Sequence, residues 1–108
     1  MSNDEPLPYG LARSVITRIV GVFSAVPEID QVLLYGSRAK GNFRDGSDID
    51  LVVRSSSLTH SQLLSLETQL DDLLLPYCID LSLLHEISNN DLLEHIQRVG
   101  VVLYEKGA

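Results

Sequence analysis

Two apolar runs in this chain each enclose an aspartate: "IDLVVR" at 49–54 and "YCIDLSLL" at 77–84. Runs of this length, rich in Ile, Val and Leu, read as strands covered on at least one face. Burying charge is expensive unless something pairs with it, so Asp50 and Asp80 need an explanation. Side chains alternate along a strand. Asp48 and Asp50 therefore project to one side, with α-carbons about 7 Å apart. Ile49, Leu51 and Val53 project to the other, toward a core. If the two runs lie side by side, Asp80 faces the same region as Asp48 and Asp50.

The rest of the chain supplies partners for these strands. Apolar positions at Leu11, Val15, Ile16, Ile19, Val22 and Phe23 have helical spacing, which predicts a helix over 11–25 closed by Pro27. "QVLLY" at 31–35 reads as a buried strand. Thr59 with Gln62 forms a capping-box pattern that opens a helix running to about Leu74, with Leu63, Leu66, Leu70 and Leu74 on one stripe. Asn89 or Asn90 caps a further helix, "DLLEHIQRV", and Gly100 suits its end. "VVLYE" at 101–105 makes a fourth, edge-like strand. The expected fold is α/β (α+β): one domain over 1–108 with helices packed on a mixed four-stranded sheet, and with residues 1–8 flexible.

Composition narrows the partners. The chain has 15 acidic and 8 basic residues, a net charge of −7. A duplex-binding surface shows clustered Lys and Arg. Here the basic residues are scattered apart from Arg38, Lys40 and Arg44, so nucleic acid is a poor candidate partner. No apolar run approaches the ~20 residues of a membrane span, and the acidic, proline-broken start does not read as a signal peptide. A cytoplasmic protein is the expectation. The single cysteine, Cys78, reads as a small buried hydrophobe. His60, His85 and His95 have no metal-ligand spacing between them and read as structural or surface residues. Tyr35 and Tyr77 read as core residues.

Between the first two strands lies "GSRAKGNFRDGSD". A strand ending in Gly36-Ser37 and turning into a short helical segment presents backbone N–H groups that attract phosphate. Gly36 allows close approach, and the Ser37 hydroxyl adds a donor. Each element alone has a plain structural alternative. Gly-Ser pairs are common turns, Asp48 can simply end a loop with Asp50 on a solvated face, and Asp80 can be a strand-end acid paired with Arg or Lys. Together they describe three carboxylates opposite a phosphate-binding turn. That arrangement suits phosphoryl or nucleotidyl transfer, in which a divalent cation neutralises the triphosphate and a carboxylate takes a proton from the attacking hydroxyl.

Gly36-Ser37, ten residues, then Asp48-Ile49-Asp50 resembles the signature of the DNA polymerase β-like nucleotidyltransferase superfamily. The short chain is similar to its minimal nucleotidyltransferase (MNT) branch. The resemblance is strongest over Val32–Val53 and extends more weakly over most of the chain. It implies that Gly36 and Ser37 bind the triphosphate, that Asp48 and Asp50 hold Mg²⁺ (or Mn²⁺), and that Asp80 completes the metal site and serves as base. It implies ATP as the nucleotide donor. Relatives often carry Gly-Ser-x-Ala-Arg-Gly. Here Lys40 stands at the arginine position, keeping the charge but not the bidentate fork, and Arg38 is a further candidate for phosphate. The resemblance also implies a small helical HEPN-type or substrate-binding partner that accepts AMP, in an antitoxin-like pair, as a hetero-oligomer or with this chain as a homodimer. The competing expectation is a non-catalytic ATP-binding module of a two-protein complex.

Overall fold

The structure is a computed structural model that describes residues 6–107. Its elements run α1 (Arg13–Ser24), β1 (Gln31–Tyr35), α2 (Gly36–Lys40), β2 (Ile49–Arg54), α3 (His60–Asp71), β3 (Ile79–Leu83), α4 (Asn90–Val99) and β4 (Val101–Glu105), with a 3₁₀ turn at Leu84–Glu86 after β3. The strands form one mixed sheet in the order β3-β2-β1-β4. β1 pairs antiparallel with both β2 and β4. β2 and β3 run parallel, connected through α3, because a parallel pair needs a crossover and cannot be joined by a hairpin.

One face of the sheet carries the main core. Ile49, Leu51 and Val53 point into it and are fully buried, together with Val32 and Leu34 of β1. Ile19 and Phe23 of α1 and Leu63, Leu66 and Leu70 of α3 close it from above. Both helices obey their sequence pattern. In α3 the Thr59 side chain accepts from the Gln62 N–H, and the Gln62 side chain accepts from the Thr59 N–H, so two of the helix's orphan donors are met.

The other face is only partly covered. α4 lies across it, and Ile96 packs with Tyr35 and Val52 in a second, smaller cluster. Asn89 caps α4 by accepting from the Asp91 and Leu92 N–H groups. Asp50 and Asp80 lie on this second face.

Two expectations are corrected. α3 ends at Asp71 rather than near Leu74. The Leu73 and Leu74 N–H groups bond the carbonyls of Leu70 and Asp71, three residues back, which tightens the chain out of the α-helix. Leu74 then takes φ 55° and is 87% exposed, so it leaves the apolar stripe. Cys78 is exposed, not buried. β3 begins at Ile79, two residues later than expected, and Cys78 shares the parity of Asp80 on the open face. Of the stretch expected to be flexible, residues 1–5 lie outside the described residues. Leu7 donates its N–H to Leu11, and Pro6 bridges Ala12.

Candidate active site

The site lies where β1 ends. Tyr35 is the last residue of β1, and it is the register partner of Asp50 on β2. Asp50 in turn is the register partner of Asp80 on β3. This pairing follows from the parallel alignment of β2 and β3, and it puts the two carboxylates on neighbouring strands of one face. Asp48 precedes β2 by one residue and is exposed, as is Asp80.

The turn after β1 closes over Asp50. Gly36 takes φ 78°, and a β-carbon built on it would lie 2.2 Å from Asp50 Oδ2. Only glycine leaves the carboxylate that space. α2 follows at once and stops at Gly41, whose left-handed φ of 91° directs its N–H to the Ser37 carbonyl. Ser37 is half-buried and Lys40 is exposed on this short helix.

Arg38 is placed differently from the other cations. It is 2% exposed. Its Nε donates to the Ser47 carbonyl at 3.0 Å and its Nη1 to the Tyr9 carbonyl at 3.0 Å. Its guanidinium carbon lies 5.3 Å from the Phe43 ring centroid and 4.9 Å from that of Tyr77, distances at which a cation is drawn to an aromatic face. Arg38 therefore joins the N-terminal turn, the 41–47 loop and the approach to β3. Its donors are directed to backbone carbonyls inside the protein. Ser47 in turn ties that loop, accepting the Arg44 N–H on its hydroxyl and donating its own N–H to the Arg44 carbonyl.

Electrostatics mark Asp50 as the crowded member. Burial pushes its carboxyl above the ordinary range, and the neighbouring Asp80 and Asp48 raise it further. A protonated His95 would draw it down. His95 Nε2 accepts the Gly36 N–H at 2.9 Å. The Tyr35 phenol is also held high by its burial, against the pull of a Ser82 hydrogen bond, and Asp80 and Asp50 add to the rise.

A carboxyl whose folded pKa lies above its unfolded value favours the fold while protonated and loses that contribution as pH rises through the folded value. Asp50→Asn is therefore expected to raise the melting temperature of the metal-free protein at neutral pH. Well below the ordinary value of 3.8 it should leave it unchanged, since both states are then protonated. Melts of the two proteins across this pH range check the sign. A variant that melts lower at neutral pH would give Asp50 a stabilising role instead.

The donor set suits a divalent cation. Asp48, Asp50 and Asp80 offer oxygen ligands only, which match Mg²⁺ or Mn²⁺, and the crowding at Asp50 is the kind that a cation relieves. Among the described residues no three His, Cys, Asp or Glu side chains are already gathered into a metal cage. Asp48 and Asp80 are exposed and can turn toward an ion. Sequence reasoning passed over His95. A lone histidine on α4, 59 residues from Gly36, carries no local signal of that contact.

A crystal structure of a toxin–antitoxin with AMP-PNP superposes with a TM-score of 0.69 at 22% identity, over 85% of this chain and 74% of the other. The structure of a tri-AMPylated Shewanella oneidensis HEPN toxin in complex with MNT antitoxin gives a TM-score of 0.65 at 20% identity, over 87% and 72%. An MntA–HepT toxin–antitoxin structure gives 0.65 at 20%, over 87% and 73%. At these identities the likeness establishes the fold alone. No curated protein matches the sequence significantly. The sequence model of the family described as "Polymerase beta, Nucleotidyltransferase" matches residues 17–108, which take in the turn, all three aspartates and His95. The chain belongs to the polymerase β nucleotidyltransferase family.

Proposed function

We propose that this protein transfers AMP from ATP to a hydroxyl on a small helical partner protein, with Mg²⁺ or Mn²⁺ held by Asp48, Asp50 and Asp80. The observation that carries this reading is the register pairing of Asp50 with Asp80 directly under the Gly36–Ser37 turn. The partner is supported by the structural relatives, which are toxin–antitoxin complexes, one of them with an AMPylated HEPN toxin. The net charge of −7 favours a partner with a basic face.

In this reading the triphosphate lies along the turn. The Ser37 hydroxyl donates to it, and exposed Lys40 supplies a positive charge without a fixed fork. A bound divalent cation supplies charge neutralisation and polarises the phosphoryl group. Asp80, open to solvent beside Asp50, accepts the proton of the acceptor hydroxyl. The hydroxyl oxygen forms the new bond to the α-phosphorus, and the bond to the bridging oxygen breaks, releasing pyrophosphate. Arg38 acts from beneath by holding the loop that leads to Asp48.

ATP is expected to raise the melting temperature with Mg²⁺ and to do so far less without it. Three carboxylates and a triphosphate share one pocket only when neutralised, and a ligand of the native state stabilises by mass action. Equal shifts with and without the metal would count against the site. The transfer itself is tested by incubating this protein with a small helical protein encoded beside it, labelled ATP and Mg²⁺, and locating the label by mass spectrometry. Label on a partner hydroxyl is the expected result. Label on a small molecule or oligonucleotide alone overturns the partner but keeps the transferase. No label with tight ATP binding favours an ATP-sensing module.

A further inference from the structure

The hydrogen bond between α4 and the turn has a role that the transferase reading leaves unassigned. α2 has no side-chain cap at its start, so its first N–H groups lack partners within the helix. One of them, on Gly36, is met by His95 Nε2 at 2.9 Å from α4. The imidazole is half-buried and stands edge-on to Tyr35, with ring centroids 6.2 Å apart and planes at 80°. Gly36 is thus gripped from two sides. His95 holds its N–H, and the Asp50 carboxylate packs against its α-carbon, where a β-carbon would come within 2.2 Å of Oδ2.

From this geometry we infer that His95 is a positioning residue for nucleotide. It withdraws the Gly36 N–H from the phosphate-binding donors and sets the Tyr35–Gly36 peptide, where the turn begins, at a fixed orientation to Asp50, leaving Ser37 and Lys40 to meet the triphosphate. The inference deepens the transferase reading and rests on it. Its chemistry is specific. The acceptor must be a nitrogen or oxygen at the reach of Nε2, and the Tyr35 ring contact alone does not supply it. α4 therefore takes part in the site, although it carries none of the aspartates. A partner that leans on α4 would act on ATP affinity through this one bond.

The test compares ATP affinity in the presence of Mg²⁺, by calorimetry, for the parent protein, His95→Phe and His95→Gln. Phenylalanine keeps a ring against Tyr35 but has no acceptor. Glutamine brings Oε1 to about the place of Nε2. Leaving the Gly36 donor unmet and the turn loose is expected to weaken ATP binding about tenfold in His95→Phe, and His95→Gln should recover most of it. In steady-state transfer the same variants should raise KM for ATP while leaving KM for the acceptor unchanged, a split that a general loss of folding would not produce. If His95→Phe fails to fold, His95→Ala replaces it, read against the same glutamine rescue. Unchanged affinity in the variant lacking the acceptor overturns the inference. Tighter binding overturns it as well, because His95 would then be a competitor that phosphate displaces. Failure of the parent itself to bind ATP with Mg²⁺ is a different result and sinks the transferase reading.

Discussion

Asp50→Asn is expected to lower AMP transfer about 10³-fold or more while leaving the protein folded. The substitution replaces a carboxylate by an amide of nearly the same shape, so the space under Gly36 stays filled. What changes is charge. Metal-assisted neutralisation of a transferring phosphoryl group is worth several kcal/mol, and each ~1.4 kcal/mol is a factor of ten in rate. Asp48→Asn should act in the same direction through the same ion. Asp80→Asn divides the two roles assigned to that residue. If its larger part is to take the proton, the variant should lose transfer yet keep much of the Mg²⁺-dependent rise in melting temperature with ATP. If its larger part is to hold the metal, both should fall together. Single-turnover transfer and thermal melts on the same preparations separate these outcomes. Full activity in Asp50→Asn would remove the carboxylate pair from the chemistry, and an unfolded Asp50→Asn would make the residue structural.

Much of this site was legible in the sequence because it rests on short-range rules. β1, β2 and β4 fall on the residues that hydrophobic runs and their flanks indicate. The capping box fixes the start of α3, and strand parity puts Ile49, Leu51 and Val53 in the core with Asp50 on the opposite face. The nearness of Asp80 was legible only as a condition, since the parallel pairing of β2 with β3 is set by how α3 packs across the sheet. What escaped depends on tertiary contact. Arg38 looks like a phosphate-binding cation from its place beside Ser37. Its burial is decided by two carbonyls and two rings from three other segments. His95 meets Gly36 only because α4 returns over the end of β1. Cys78 is exposed because β3 starts at Ile79, a boundary shift of two residues that no apolar run reveals. Leu74 leaves its helix where three-residue-back hydrogen bonds take over, and propensity does not mark that point.

Gly36→Ala is expected to uncouple the turn from the acids and cost about a hundredfold in transfer. Two effects combine. At φ 78° an alanine pays roughly 1–2 kcal/mol of backbone strain that glycine does not. Its methyl group would also start 2.2 Å from Asp50 Oδ2, so the carboxylate must rotate away from its place beside Asp80. The first effect is a loss of stability, and the second is a displaced reacting group, for which a misplacement of about 1 Å can cost 10²-fold in rate. Gly107→Ala separates them. Gly107 has the same φ of 78° with nothing within 4 Å of an added β-carbon. It follows β4 beyond Glu105, which pairs with Gln31 at the end of β1 opposite Tyr35. The strain there is similar and the site is remote. Gly107→Ala should therefore lower the melting temperature without lowering transfer per folded molecule, whereas Gly36→Ala should lower both. The pair is read by thermal melts and by transfer assayed well below both melting points. Equal activity in the two variants would mean that the turn's grip on Asp50 is structural only, and that the triphosphate is positioned elsewhere on this face of the sheet.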